Sequence, residues 1–214
     1  MNAHTVVQTV QGPAGRIECA VDSPAGPVRG VAVVCHPHPQ HGGTLDNKVV
    51  QTLARAFVQL GWRSVRFNFR GVGASEGGWD EGRGEVEDAL AVVAARTAAH
   101  TIDGAAPALL MAGFSFGGYV AAEVAQRLPA DAKPRRLVLV GPSTQKQDVP
   151  PVPAGTVVIH GETDDVVPLS ATLDWARPQA LPVIVFPGVG HFFHGQLALL
   201  KSVVVQQLQG HGGA

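Results

Sequence analysis

A serine becomes a useful nucleophile only where a base can take its proton and the backbone holds the hydroxyl forward. Gly113-Phe114-Ser115-Phe116-Gly117-Gly118 places glycines two before and two after a serine, as a strand requires when it turns sharply into a helix with the nucleophile at the apex. The apolar run Ala108 to Ala112 precedes the motif, and Val120, Val124 and Leu128 follow it at helical spacing. Gly73-Ala74-Ser75-Glu76-Gly77 fits the same five-residue pattern. It sits in a glycine-rich polar loop some residues past a strand, so Ser75 is read as a loop residue.

A base and an acid to orient it would come from loops at the carboxyl ends of strands. One such loop is His160-Gly161-Glu162-Thr163-Asp164-Asp165-Val166-Val167-Pro168, and another is Pro187-Gly188-Val189-Gly190-His191-Phe192-Phe193-His194-Gly195. The chain order is then Ser115, Asp164, His191, with Asp165 as a rival acid and His194 as a rival base. The glycine-flanked turn places His191 nearer the sheet edge than His194. His160 ends a buried strand and reads as a hydrogen-bonded core histidine.

Acyl transfer also needs two backbone N–H groups aimed at the developing oxyanion. Phe116, just after the serine, would supply one. The other would come from His36-Pro37-His38-Pro39-Gln40-His41-Gly42-Gly43-Thr44, where the prolines have no N–H to give, leaving His38 first and Gln40 second. The three histidines of that loop also invite a metal reading, but no carboxylate or thiol completes a ligand set, and none is expected. Asn68-Phe69-Arg70-Gly71-Val72-Gly73 lacks the spacing of a phosphate-binding loop, so no nucleotide cofactor is expected either.

The elements that would hold these residues are legible. Eight short apolar runs recur: Thr5 to Val10, Arg16 to Val21, Gly30 to Cys35, Ser64 to Phe69, Ala108 to Ala112, Arg136 to Val140, Thr156 to His160 and Pro182 to Phe186. The first two are joined by Gln11 to Gly15, too short for a crossover helix, and should pair as an antiparallel hairpin at one edge. The rest are mostly apolar on both faces, as buried parallel strands are. Helical stripes separate them: Val49, Val50, Leu53, Phe57 and Leu60; Val86, Leu90, Val93 and Ala94; Val120, Val124 and Leu128; and finally Leu197, Leu200, Val204 and Leu208. Val149-Pro150-Pro151-Val152-Pro153 reads as an extended surface loop.

Composition agrees with a packed α/β protein. The 214 residues are 45% apolar and 15% charged, enough for one core over residues 1–214 as a single domain. A formal charge of -1 without basic runs argues against nucleic acid. Met1 to Gln8 lack the start of a signal peptide and no apolar stretch nears the ~20 residues of a membrane span, so a cytoplasmic, non-membrane protein is expected. Cys19 and Cys35 lie in strand-like runs and read as reduced, packed thiols.

With these segments in this order, the sequence resembles the α/β-hydrolase family over nearly its whole length. It looks most like small lidless bacterial serine hydrolases related to dienelactone hydrolase and the prolyl oligopeptidase catalytic domain. The resemblance implies an α/β fold with an eight-stranded, mostly parallel sheet and helices on both faces. It implies Ser115 as nucleophile, Asp164, by its register in Gly-Glu-x-Asp-x-x-Val-Pro, as acid, His191 as base, and Arg70 as a structural brace. Only 48 residues separate Ser115 from Asp164, which leaves no room for a cap domain. The expected activity is hydrolysis of small soluble carboxylic esters or thioesters through an acyl-enzyme. A peptidase or amidase of the same fold, or a binding protein on that scaffold, are the alternatives. Phe114, Phe192 and Phe193 are expected to wall the substrate site and to suit an apolar group. The partner implied is a small-molecule ester; the oligomeric state is not readable.

Overall fold

The computed structural model describes residues 5–100 and 104–209. The strands are β1 Val6–Gly12, β2 Gly15–Asp22, β3 Gly30–Cys35, β4 Arg63–Phe67, β5 Ala108–Phe114, β6 Arg136–Val140, β7 Val157–Gly161 and β8 Val183–Phe186. They form one sheet in the order β1-β2-β4-β3-β5-β6-β7-β8. β1 pairs antiparallel with β2, and β2 antiparallel with β4, while every other neighbour is parallel. The expected hairpin and parallel sheet are both present. The start of the chain, residues 1–4, lies outside the described residues.

The helices are α1 Lys48–Gln59, α2 Arg83–Ala98, α3 Phe116–Arg127, α4 Leu169–Ala176 and α5 Leu197–Gln209. Alternation along the strands sends successive side chains to opposite faces. Val31, Val33 and Cys35 of β3 join Met111 under α2 and α3, whereas Ala32 and Val34 join Leu110 and Ala112 under α1 and α5. The two layers explain why the central strands are apolar throughout. Burial pushes the thiols of Cys19 and Cys35 up from the ordinary range, and both are free.

Two features differ from expectation. α4 has no clear apolar stripe, since only Thr172 and Ala176 of its eight residues are buried. Its start is marked by Pro168 at the N-cap, a local cue that periodicity does not carry. The proline-rich segment is not wholly superficial: Val149 and Pro150 are buried, and the Val149 carbonyl accepts a hydrogen bond from Trp175 Nε1 at 2.9 Å. Among the described residues no helix is long and apolar enough to cross a membrane.

Candidate active site

The turn from β5 into α3 puts Ser115 at φ 57° and ψ -121°, outside the conformations that L-residues prefer. Close packing holds it there. A Cβ on Gly113 would overlap the Gly117 carbonyl, and one on Gly117 would overlap the carbonyls of Cys35 and His36. The two glycines therefore let β5, β3 and α3 converge on the serine. The Ser115 N–H donates to Val140 O at 2.9 Å, and its carbonyl accepts from Gly118 N and Ser143 N. Among the described residues, its hydroxyl has no hydrogen-bond partner. Ser115 and His191 line the same cavity of about 340 Å³.

Asp164 leaves β7 and His191 follows β8. His191 Nδ1 donates to Asp164 Oδ2 at 2.6 Å, which leaves Nε2 as the acceptor. Asp164 Oδ1 accepts from Val166 N–H at 2.9 Å and from Val167 N–H at 2.7 Å. Burial pushes the Asp164 carboxyl upward, but the His191 bond, the two backbone N–H groups and the imidazole charge together hold it below the usual carboxylate range. His160 Nε2 donates to Val167 O at 2.9 Å and lies 3.4 Å from Asp164 Oδ2. Burial holds that imidazole below its ordinary value, so His160 backs the acid as a neutral group. Asp165 and His194 are exposed. Of the two rival pairs, the structure brings together Asp164 and His191.

The loop after β3 takes a 3₁₀ turn over Pro39–His41. His38 Nδ1 accepts from Gln40 N–H at 3.2 Å, so the second-choice donor Gln40 is engaged. The backbone N–H groups of His38 and Phe116 have no partner among the described residues, and both residues line the cavity. His36 does not join a metal cluster. Its Nδ1 donates to Pro37 O at 2.6 Å and its Nε2 accepts from Phe69 N–H at 3.1 Å.

Two of the three expected wall residues lie elsewhere. Phe114 is fully buried beneath His191, with ring centroids 4.8 Å apart, and supports the imidazole rather than a substrate. Phe193, at φ 52°, turns inward to pack on Phe186. Consecutive residues at a turn face opposite ways, so only Phe192 reaches the cavity. Gly141, just after β6, was not singled out by sequence. It has φ 48°, and a Cβ there would lie 3.4 Å from His191 Nδ1 and 3.5 Å from Asp164 Oδ2. A glycine directly after an apolar strand is its sequence signal.

Ser75 is a bracing residue. Its Oγ donates to Asn68 O at 2.7 Å and accepts from Glu18 N–H at 2.9 Å. Arg70 braces as well, gripping the buried Asp88 through Nη2 at 2.7 Å and Nε at 2.9 Å. A Cβ on Gly84 would overlap that guanidinium, so the glycine lets α2 sit on the ion pair.

Comparison with known proteins agrees with this architecture. The chain is 37% identical to an alpha-beta serine hydrolase homologue from Coxiella burnetii, with a TM-score of 0.85 over 97% of this chain and 98% of that one. It is 35% identical to a lidless α/β serine hydrolase from Xanthomonas campestris, with a TM-score of 0.86 over 98% and 95% of the two chains. An uncharacterized protein of Rickettsia prowazekii is 35% identical over 162 residues, which cover 73% of this chain and 66% of that protein, just under two thirds of its length. The family described as serine aminopeptidase, S33, matches residues 26–168, from the loop before β3 through the Asp164 turn. With the sheet order, the glycine-walled serine turn and these matches in agreement, the chain belongs to that family of α/β-hydrolases.

Proposed function

We propose that this protein is a serine hydrolase that cleaves small soluble carboxylic esters or thioesters through an acyl-enzyme. The observation that carries the reading is the 2.6 Å pair of His191 and Asp164 at the cavity that Ser115 opens into. In the proposed cycle, His191 Nε2 takes the hydroxyl proton as Ser115 Oγ attacks the substrate carbonyl, and Asp164 stabilises the imidazolium that forms. The N–H groups of Phe116 and His38 receive the oxyanion. The imidazolium then protonates the departing alcohol or thiol. A water activated by His191 releases the acid and restores the serine. Apo sites often hold such bonds open, and in the proposed cycle the Ser115 to His191 bond tightens with substrate bound.

The test pairs chemistry with mutation. Fluorophosphonate should label Ser115, located by mass spectrometry, and Ser115→Ala should lose on the order of a million-fold in kcat on p-nitrophenyl acetate while remaining folded. Ser75→Ala should still be labelled. A label on Ser75, or retained turnover in Ser115→Ala, would overturn the assignment. Faster cleavage of aminoacyl p-nitroanilides than of esters would favour a peptidase instead.

A further inference from the structure

The cavity around Ser115 differs in charge from the molecule that carries it. The whole chain has a formal charge of -1, yet the cavity lining includes Lys146, His38 and His41 and no carboxylate. Lys146 has no ion-pair partner among the described residues. It is placed by the nucleophile's own turn: Ser143 N–H donates to Ser115 O at 3.2 Å, and Lys146 N–H donates to Ser143 O at 3.3 Å. The ammonium is therefore carried on a short segment fastened to the serine backbone.

Other side chains of the lining add donors. Asn47 Oδ1 accepts from Val49 N–H at 2.9 Å and Val50 N–H at 3.4 Å as the cap of α1. With the oxygen so occupied, the side chain has only its NH₂ group to offer to the cavity it lines. His38 Nδ1 is likewise an acceptor for Gln40 N–H, which places the imidazole proton on Nε2. Burial, His41 and Lys146 hold His38 below its ordinary value, so it donates as a neutral ring. Pro37, Phe116, Val166 and Phe192 supply apolar surface between these groups. Lys146 is exposed and Asn47 half-buried, so water serves both while an uncharged ester is bound, whereas an anion would pair with the ammonium and accept from the amide directly.

We propose that the natural substrate is a short ester carrying a carboxylate, which Lys146 and the Asn47 amide hold while Ser115 attacks the ester carbonyl. The proposal rests on the reading of Ser115 as the nucleophile and adds the charge class of its substrate. Chemically, it places the protein after a reaction that esterifies one carboxyl of a small diacid or builds an ester onto a carboxylate-bearing alcohol.

The experiment compares monomethyl glutarate with methyl pentanoate, which match in chain length and differ in the carboxylate. At low salt the kcat/KM ratio should favour monomethyl glutarate about two- to fivefold, the range of a solvent-exposed ion pair, because Lys146 is exposed. Raising the ionic strength should shrink that ratio. Lys146→Gln should bring it near one, and Lys146→Glu should invert it. Calorimetry on Ser115→Ala gives a second readout, with monomethyl glutarate binding more tightly than methyl pentanoate and losing that advantage in Ser115→Ala/Lys146→Glu. A ratio near one in the unmodified protein, or one unmoved by Lys146→Glu, overturns the charge class while Ser115-dependent hydrolysis stands. Absence of both fluorophosphonate labelling and ester turnover would instead sink the nucleophile reading. The calorimetric preference then decides the charge class by itself.

Discussion

His36 is fully buried with both ring nitrogens in hydrogen bonds to backbone groups, and burial lowers its value to about 3. The unfolded chain would bind a proton on that ring near 6.5, and the folded chain would not. Below the ordinary histidine value the unfolded state thus holds more protons, and stability falls with pH until the folded value is reached; above it the group contributes no pH dependence. His160, lowered in the same direction by burial, adds to the slope. Urea unfolding between pH 6 and 5, above most carboxylate titrations, should show stability falling by at least about 1 kcal/mol. A flat profile over that window would contradict the buried neutral His36. Ser75 gives the same lesson for hydroxyls, because with donor and acceptor both used in bracing β2 it offers nothing to a substrate.

At the scale of elements, the site depends on how closely three strand ends approach. β5 delivers Ser115, β7 delivers Asp164, and the turn after β6 passes close against the acid and the imidazole at Gly141. Alanine at position 141 would meet one penalty, a left-handed backbone at φ 48°, because its Cβ would lie in ordinary contact with the His191 ring at 3.4 Å. That backbone costs about 1–2 kcal/mol of stability and leaves the fold standing. Gly141→Ala should therefore lower Tm while kcat falls by less than about tenfold. A kcat loss of about a hundredfold or more would show that the turn after β6 holds the imidazole more tightly than contact distance implies. Gly117→Ala is a harsher change, since its Cβ would meet the carbonyls of β3's last residue and the next, and it should cost at least about 3 kcal/mol.

Seen whole, the molecule is a sheet with helices on both faces and its cavity at the carboxyl ends of the strands. Between Ser115 and Asp164 the chain holds α3, a 3₁₀ turn at Ala130–Ala132, β6, the loop of residues 141–156 and β7, and none of these is a helical cap. An alkyl tail beyond the cavity rim would stay in water, forfeiting the ~0.8 kcal/mol that each buried methylene contributes. Acetyl to hexanoyl p-nitrophenyl esters should be turned over faster than dodecanoyl esters, without activation at a lipid interface. A kcat/KM that keeps rising through long chains would require an apolar tunnel or a lid from another molecule.

The sequence by itself determined the eight strands, four of the five helices, and the segments bearing Ser115, Asp164 and His191, because strand runs, helical stripes and glycine-flanked turns are local patterns. Tertiary structure decided what depends on distance between segments. Asp164 and Asp165 are chemically alike, and only the loop's packing buries the first against His191 while exposing the second. Phe114 and Phe193 looked like walls of the cavity, yet burial draws both rings into the interior because an aromatic side chain gains more there than beside water. Lys146 and Asn47 lie 99 positions apart with no shared motif. Their meeting at one cavity is produced by β3, β5 and β6 lying side by side, which no reading along the chain can supply.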